Sequence, residues 1–480
     1  MPINARKVTV IPGDGIGPEV IAAALRVIEA TGVKVQADVH HAGAEMFRKG
    51  IVSGVPQDTI ESIQETKVVL KGPLETPIGH GNKSANVTLR TLFETFGNLR
   101  PVRELPGVTT PFTGRKLDIV IVRENVEDLY TGIEYMQTPG VAQALKIITR
   151  LGCEKIVELA FEFAIAAGRQ RVHCATKANI MKLTEGMMQH TFEEIAPRYP
   201  QIEAKHILID NCAHQLAMRP EQFDVIVTTN MNGDILSDLT SGLTGGLGFA
   251  PSANIGSEVA IFEAVHGSAP DIAGRNVANP TAIVLSAAMM LRHIGEGTAA
   301  NDIEQAVLVT LESGMRSGDM SGTAPPSSTT DFANAIISNL GRESTTSAAR
   351  DFHAVRISPM RDEVSVMPVT SRRVTGIDIF IESELQPAEL GGSLERLVEG
   401  KTLSLHSIGN RGNTVFPVTD QTVSLVDQYR CRFLARNRNG DISDAEILSL
   451  LTRIGNVHRW MHIEKLQQFD GEDAFSRSGK

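Results

Sequence analysis

Cysteine is scarce in this chain of 480 residues: Cys153, Cys174, Cys212 and Cys431 lie far apart, with no CxxC pair and no metal-like spacing. That excludes a disulfide framework and a thiolate metal centre, and it predicts free thiols in a reducing compartment. Long apolar runs are also missing. The longest, residues 282–291, is about half of what a membrane span needs. The opening MPINARKVTVIPG has no apolar h-region and no cleavage site, so a cytoplasmic location is expected. Nor is there an excess of positive charge. A net charge of −10 argues against a nucleic-acid or anionic-membrane partner, since both require a basic surface. A small anionic substrate stays open, because a few converging arginines can hold one against the overall field.

What is present is ordinary globular composition, 42% hydrophobic and 21% charged, in a chain long enough for about three domains. Residues 8–11, 67–70, 119–122, 170–174 and 225–228 read as buried strands. Residues 18–30, 154–167, 180–195 and 281–293 read as helices. This alternation predicts an α/β fold around a largely parallel sheet. A Gly/Ser/Thr/Pro-rich stretch at 313–330 leads to a helix at 331–340, and 341–350 reads as a linker. Beyond it the order changes. Strands at 373–381, 402–407, 425–432 and 460–466, with helices at 387–399 and 443–457, predict a small α+β C-terminal domain over 351–480 of βαββαβ type, fit for regulation or assembly.

Four segments could carry chemistry. IPGDGIGPEV (11–20) follows a strand and opens a helix, but its alternating glycines do not fit G-x-G-x-x-G, and Pro18 suits the first position of a helix. A structural turn is therefore expected. SANVTLRTLFETFGNLRPVR (84–103) gathers Arg90, Arg100 and Arg103, and VRENVEDLYTG adds Arg123 and Tyr130. Guanidiniums match carboxylates with paired hydrogen bonds and stay charged, so their convergence would suit a polycarboxylic acid; singly, each could be a solvated helix residue. In TNMNGDILSD (229–238), Asp234 and Asp238 stand i, i+4 on one helix face, after a strand end. Like charges there repel unless a cation joins them, and carboxylate oxygens suit Mg²⁺ or Mn²⁺. An acidic helix start is the alternative. FEAVHGSAPDIAGRNVAN (262–279) is small and flexible enough to wrap an adenosine, or it is a surface loop.

Taken in order, IPGDGIGPEV, GPLETPIG, SANVTLR, NLRPVR, VRENVEDLYTGIE, CATKANIMKLTEG, TTNMNGDILSDLTSGLTGGLG, FEAVHGSAPDIAG and NPTAIVLSAAMML resemble the β-decarboxylating dehydrogenase family, over roughly residues 7–340. The resemblance implies the isocitrate/isopropylmalate dehydrogenase-like fold rather than a Rossmann fold. It implies a large cofactor-side domain (1–95 and 245–340) and a small domain with a dimer clasp (96–244), flanking a central cleft. Members that take isocitrate carry Ser and Asn where Ser84 and Asn86 stand. A polar pair would be left unsatisfied by an isopropyl group. The C-terminal extension is similar to that of some bacterial members.

The resemblance further implies that Ser84, Asn86, Arg90, Arg100 and Arg123 bind substrate. It implies that Asp234 and Asp238, with Asp210 from a second subunit, hold Mg²⁺ or Mn²⁺. The cation would favour the alkoxide of the 2-hydroxyl. Lys177, also from the second subunit, would manage the hydroxyl proton, and Tyr130 would protonate the enol left by loss of CO₂. The active site would thus be shared within a homodimer or a higher oligomer. On the cofactor side it implies Thr76 near the nicotinamide, His266 and Asn279 against the adenine with Glu263 and Gly267 nearby, and Asp271 and Ile272 at the ribose. NADP-dependent relatives carry a Lys–Tyr pair at the last two positions. A carboxylate there would accept from a 2′-hydroxyl and repel a phosphate, and 317–341 holds no Lys or Arg, so NAD is expected. The alternatives are NADP, a substrate such as homoisocitrate or tartrate, and a non-catalytic subunit; the last conflicts with the complete set of site residues. The cluster Arg430, Arg432, Arg436 and Arg438 reads as a solvated strand and turn or an oligomer contact, with an effector or nucleic-acid site as the rival.

Overall fold

The computed structural model describes residues 5–75, 84–320, 325–348, 355, 357, 359, 364–417, 423–437 and 440–476. It divides into two compact units: residues 1–131 with 146–362, and residues 132–145 with 363–480.

The first unit is built on strands β1 (Arg6–Ile11), β2 (Val35–Val39), β3 (Val68–Lys71), β4 (Gly97–Arg103) and β5 (Asp118–Glu124). The hairpin β6 (Glu134–Thr138) and β7 (Val141–Ala144) belongs to the second unit. The first unit then continues with β8 (Arg171–Thr176), β9 (Glu203–Leu208), β10 (Val225–Thr228), β11 (Pro251–Ile255) and β12 (Ala260–Ala264). Its helices are α1 (Gly17–Ala30), α2 (Ala44–Arg48), α3 (Gln57–Thr66), α4 (Ala85–Leu92), α5 (Arg150–Ala166), α6 (Thr184–Ile195), α7 (Ile209–Met218), α8 (Asn230–Thr244), α9 (Thr281–His293), α10 (Gly297–Glu312) and α11 (Thr329–Ser338).

One ten-stranded sheet runs β2-β1-β3-β12-β11-β4-β5-β10-β8-β9. Its outer parts are parallel, as the βαβ alternation requires. The middle is not: β12–β11, β11–β4 and β4–β5 are antiparallel. Side-chain alternation sorts the two faces. Val8, Val10, Leu70, Val120 and Val122 pack under α1, α5, α6 and α9–α11. On the other face, Ile11, Val69 and Ile261 pack with α3 and α4, and Ile119, Ile121 and Ile226 with α7 and α8. The sequence reading missed β2, β4, β9, β11 and β12; in β4 and β11 polar site-facing positions hide the apolar run of a buried strand. All four cysteines are buried and free. Among the described residues, no helix is long and apolar enough to cross a membrane.

The second unit holds a six-stranded antiparallel sheet formed by β13 (Arg372–Glu382), β14 (Leu403–Asn410), β15 (Asn413–Phe416), β16 (Gln428–Ala435), β17 (Arg459–Phe469) and β18 (Glu472–Asp473), in the order β15-β14-β16-β13-β17-β18. The expected βαββαβ order is present, with β15 and β18 as short additions. Helices α12 (Pro387–Val398) and α13 (Asp444–Gly455) cover one face. Both start where the sequence supplies a cap: Gln386 with Glu389, and Ser443 with Glu446, form reciprocal capping boxes. Ile377, Ile379, Ile381, Cys431 and Phe433 meet Leu390, Leu394, Leu450 and Ile454 in the core. In this unit the expected solvated arginine cluster is corrected at Arg432 alone; Arg436 is exposed. Arg432 is buried and grips Asp378 on the neighbouring strand with two bonds of 2.7 Å, while Arg436 caps the Lys401 carbonyl at 2.9 Å. Arg438 lies outside the described residues.

Candidate active site

The polar groups expected to act on a substrate gather on one face of the first unit's sheet, between the apolar clusters under α4 and α8. Helix α8 starts directly after β10, with Thr229 in extended conformation at its N-cap. This places Asp234 and Asp238 one turn apart above β4 and β5. Gly233 has no side chain because the side chain of Arg123 crosses there: a Cβ would meet it at 2.6 Å.

Arg100 on β4 and Arg123 at the end of β5 both reach Asp234. Arg100 Nη1 donates to Asp234 Oδ1 at 3.1 Å and to Ser237 Oγ at 2.6 Å. Arg123 pairs with the same carboxylate oxygen, and its Nε and Nη2 clasp Asn230 Oδ1 at 3.0 and 2.8 Å. The guanidinium of Arg123 lies over the ring of Tyr130, 4.8 Å from its centroid. The Tyr130 hydroxyl donates to Asp234 Oδ2 at 2.5 Å. The electrostatics follow from burial and charge. Burial opposes ionisation of Asp234, but Arg123 and Arg100 outweigh it and hold the carboxyl low. Burial, then the like charges of Arg100 and Arg90, pull the Arg123 guanidinium down to about 9, so it remains charged at neutral pH. Burial and then the bond to Asp234 push the Tyr130 phenol up, so it keeps a proton to give. Partial burial also raises Asp238, with Arg100 opposing and Asp234 adding.

Ser84 is the N-cap of α4, and Asn86 and Arg90 follow on one face of that helix. Asn86 Nδ2 donates to the Leu74 carbonyl at 3.3 Å, while Asn86 Oδ1 and Arg90 Nε are buried with no partner among the described residues. Orphaned polar atoms of this kind are costly unless a ligand completes them. Arg90 Nη2 reaches Glu263 Oε1 at 3.3 Å, and Glu263 also pairs with the fully buried Lys71. Glu263 is thus packed against the arginines.

Lys177 and Asp210 meet each other, Nζ to Oδ2 at 2.9 Å, and that bond holds the Asp210 carboxyl low. The structure does not bond this pair to the Asp234 cluster. Among the described residues, no group of three or more His, Cys, Asp or Glu is placed to hold a metal ion. On the cofactor side, His266 Nδ1 donates to the Gly267 carbonyl at 3.0 Å, leaving Nε2 as a buried acceptor with no partner among the described residues. Burial lowers the pKa of this imidazole. Asn279 is buried, its Nδ2 on Asp319 Oδ2 at 3.1 Å. Asp271 is exposed and Ile272 half-buried in one short turn. Thr76 lies outside the described residues. The glycine turn after β1 is the structural turn expected: a Cβ on Gly15 would fall 2.0 Å from the Ser268 carbonyl, so it packs against backbone.

Sequence reasoning missed the supports: Asn98 under Arg100, Asn230 under Arg123, and Lys71. Asn98 and Asn230 stood inside quoted motifs, and polar residues at strand ends were the available signal. It also missed Glu185, which is fully buried and accepts from the Lys177 backbone at 2.9 Å and from Lys146 at 2.9 Å.

With this geometry in place, the class is clear: the chain belongs to the isocitrate/isopropylmalate dehydrogenase family, whose model matches residues 7–336. Residues 372–480 match the bacterial isocitrate dehydrogenase C-terminal domain. More particularly, the chain is 58% identical over 472 residues to "Isocitrate dehydrogenase [NADP]" of Thermus thermophilus, covering 98% of this chain and 95% of that protein. It is 37% identical to the protein of the same name from Rickettsia conorii, over 98% of both. Among solved structures, the TT0538 protein from Thermus thermophilus superposes with a TM-score of 0.96 at 58% identity, covering 100% of this chain and 97% of that one.

These relatives overturn the expectation of NAD, since those that match over nearly the whole length are named for NADP. The physical reason lies in what the expectation left out. Asp271 is exposed, so water screens its charge to about 1 kcal/mol at 4 Å. Arg275, also exposed, belongs to the same turn, its N–H bonded to the Ile272 carbonyl at 3.2 Å, and brings the opposite sign.

Proposed function

We propose that this chain is an NADP-dependent isocitrate dehydrogenase, oxidising and decarboxylating isocitrate to 2-oxoglutarate and CO₂. The observation that carries the reading is the convergence of Arg100, Arg123 and Tyr130 on Asp234, beside the unsatisfied Asn86 Oδ1 and Arg90 Nε. Three arginines suit an acid with three carboxylates. Asn86 gives the extra carboxylate of isocitrate a polar neighbour, where an alkyl group would leave the amide stranded. Tyr130, with its raised phenol, is the proton donor to the carbon that loses CO₂.

The donor chemistry fits a divalent cation. Asp234 and Asp238 would hold Mg²⁺ or Mn²⁺, with Asp210 of a second copy as the third carboxylate. Such an ion supplies Lewis acidity at the 2-hydroxyl oxygen when bound. A shared site is supported by the want of a third carboxylate beside Asp234 and Asp238 among the described residues, and it makes a homodimer the working assembly. Lys177 of that second copy takes the hydroxyl proton. A cytoplasmic setting follows from the family and the free thiols.

The test is initial-rate kinetics on a panel of isocitrate, homoisocitrate and tartrate, with NADP or NAD, with and without chelator. Isocitrate with NADP should be preferred, and chelator should abolish turnover. A preference for NAD would overturn the cofactor assignment, and a preference for another acid the substrate assignment.

A further inference from the structure

A polar stripe crosses the middle of the first unit's sheet, on the face that carries the site. It follows successive register partners: Lys71 opposite Glu263, Glu263 opposite Ser252, Asn254 opposite Asn98, and Asn98 opposite Arg123. The two asparagines are buried, at 0% and 1% exposure, and their amides bond to protein groups rather than touch a ligand. Their bonds nonetheless connect the groups that would. Arg100 Nε donates to Asn98 Oδ1 at 2.9 Å. Asn98 Nδ2 donates to Asn254 Oδ1 at 2.6 Å, and Asn254 Nδ2 donates to Glu263 Oε1 at 2.8 Å. The same Glu263 oxygen receives Arg90 Nη2 at 3.3 Å.

The order of donors is forced. A guanidinium can only donate, so Asn98 must present its oxygen to Arg100 and its NH₂ to Asn254. Asn254 must then present its oxygen to Asn98 and its NH₂ to a carboxylate. The chain therefore runs from guanidinium through two amides to a carboxylate that also holds the second guanidinium. Each bond polarises the next in a medium that water does not reach.

We infer that Asn98 and Asn254 are positioning residues that lock Arg90 and Arg100 at a fixed spacing and orientation, and so set the grip on the substrate's carboxylates. This rests on the functional reading above. Apolar residues would fill the same sheet positions more cheaply, because an interior amide is tolerated only when fully bonded. The relay spans β4, β11 and β12, the antiparallel centre, so it ties α4 to α8 along the face of the sheet that both helices cover.

The test compares the full-length wild type with Asn254→Leu, which keeps the branched four-atom outline and removes the relay. Because the arginines grip ground state and transition state alike, KM for isocitrate should rise on the order of 10- to 100-fold with kcat little changed. KM for NADP should not move, which a general loss of packing would not spare. Combining Asn254→Leu with Arg90→Lys should give less than the product of the two effects, since both act on one interaction. Should the leucine variant fail to fold, Asn254→Ser retains a hydroxyl and should raise KM for isocitrate in the same direction by less. A wild type inert with isocitrate sinks the functional reading and this assignment with it. An active wild type whose folded Asn254 variants keep its KM for isocitrate, or combine with Arg90→Lys multiplicatively, sinks the assignment alone.

Discussion

The two units treat the inside of a β-sheet in opposite ways. In the C-terminal unit, the helix-facing side of the sheet is lined by apolar residues such as Ile377 and Phe433, and the buried Asp378–Arg432 pair sits among the strands with further partners in Arg430 and the Ser476 carbonyl. In the larger unit, charged and amide groups run across the sheet's centre and stop at partners with bonding capacity to spare. The difference teaches how to tell a buried charge that builds a fold from one that serves a site. The first finds its partners inside its own unit. The second leaves atoms such as Asn86 Oδ1 and Arg90 Nε unmatched.

The sharpest way to break this contrast is Asp234→Asn. It removes the shared counter-charge of Arg100 and Arg123 and one carboxylate of the cation site. We expect kcat/KM for isocitrate to fall on the order of 10³-fold while circular dichroism shows a folded chain. A large loss of stability with activity spared would make the stripe architectural instead. Next comes Arg432→Ala, which strands a buried Asp378. We expect it to cost about 3–5 kcal/mol in urea unfolding of the C-terminal unit, and Asp378→Leu with Arg432→Met to recover most of it. A double variant no better than the single one would mean that the pair does more than neutralise itself.

The smallest effect concerns Glu124, buried at the end of β5. Burial raises its carboxyl from 4.5 to about 7, against backbone bonds from Val126 and Glu127. The folded state therefore holds a proton that the unfolded state gives up first. Stability from this group is complete below pH 4.5 and is lost as pH rises to about 7, by about 3 kcal/mol. Glu124→Gln should remove that slope, read as the difference in urea stability between wild type and variant from pH 4.5 to 8. Parallel curves would show that Glu124 ionises alike in both states.

Much of this was legible in the sequence. Strands β1, β3, β5, β8 and β10 announced themselves as β-branched runs while β2, β9 and β12 did not, and helices α1, α9, α12 and α13 followed their apolar periodicity. Asp234 and Asp238 could be placed on one helix face from spacing alone. The antiparallel centre could not, because β4 and β11 exist to carry Asn98, Arg100 and Asn254 inward, and polar inward positions erase the pattern that marks a strand. The relay was invisible for a related reason: its members come from three distant stretches and meet only through strand register. The cofactor expectation failed because it weighed Asp271 without the Arg275 of the same turn.

The pairing of β3 with β12 has a consequence for how the chain is made. Val68 cannot find Ala260 until most of the first unit has left the ribosome. The nascent amino-terminal strands β1–β3 must wait with an open edge, a template for wrong pairing. Contacts this remote slow folding, because loop closure is costly before it is rewarded. Growth of this protein is therefore a race between translation to residue 264 and aggregation of an unfinished half-sheet, and chaperone demand should peak in that interval.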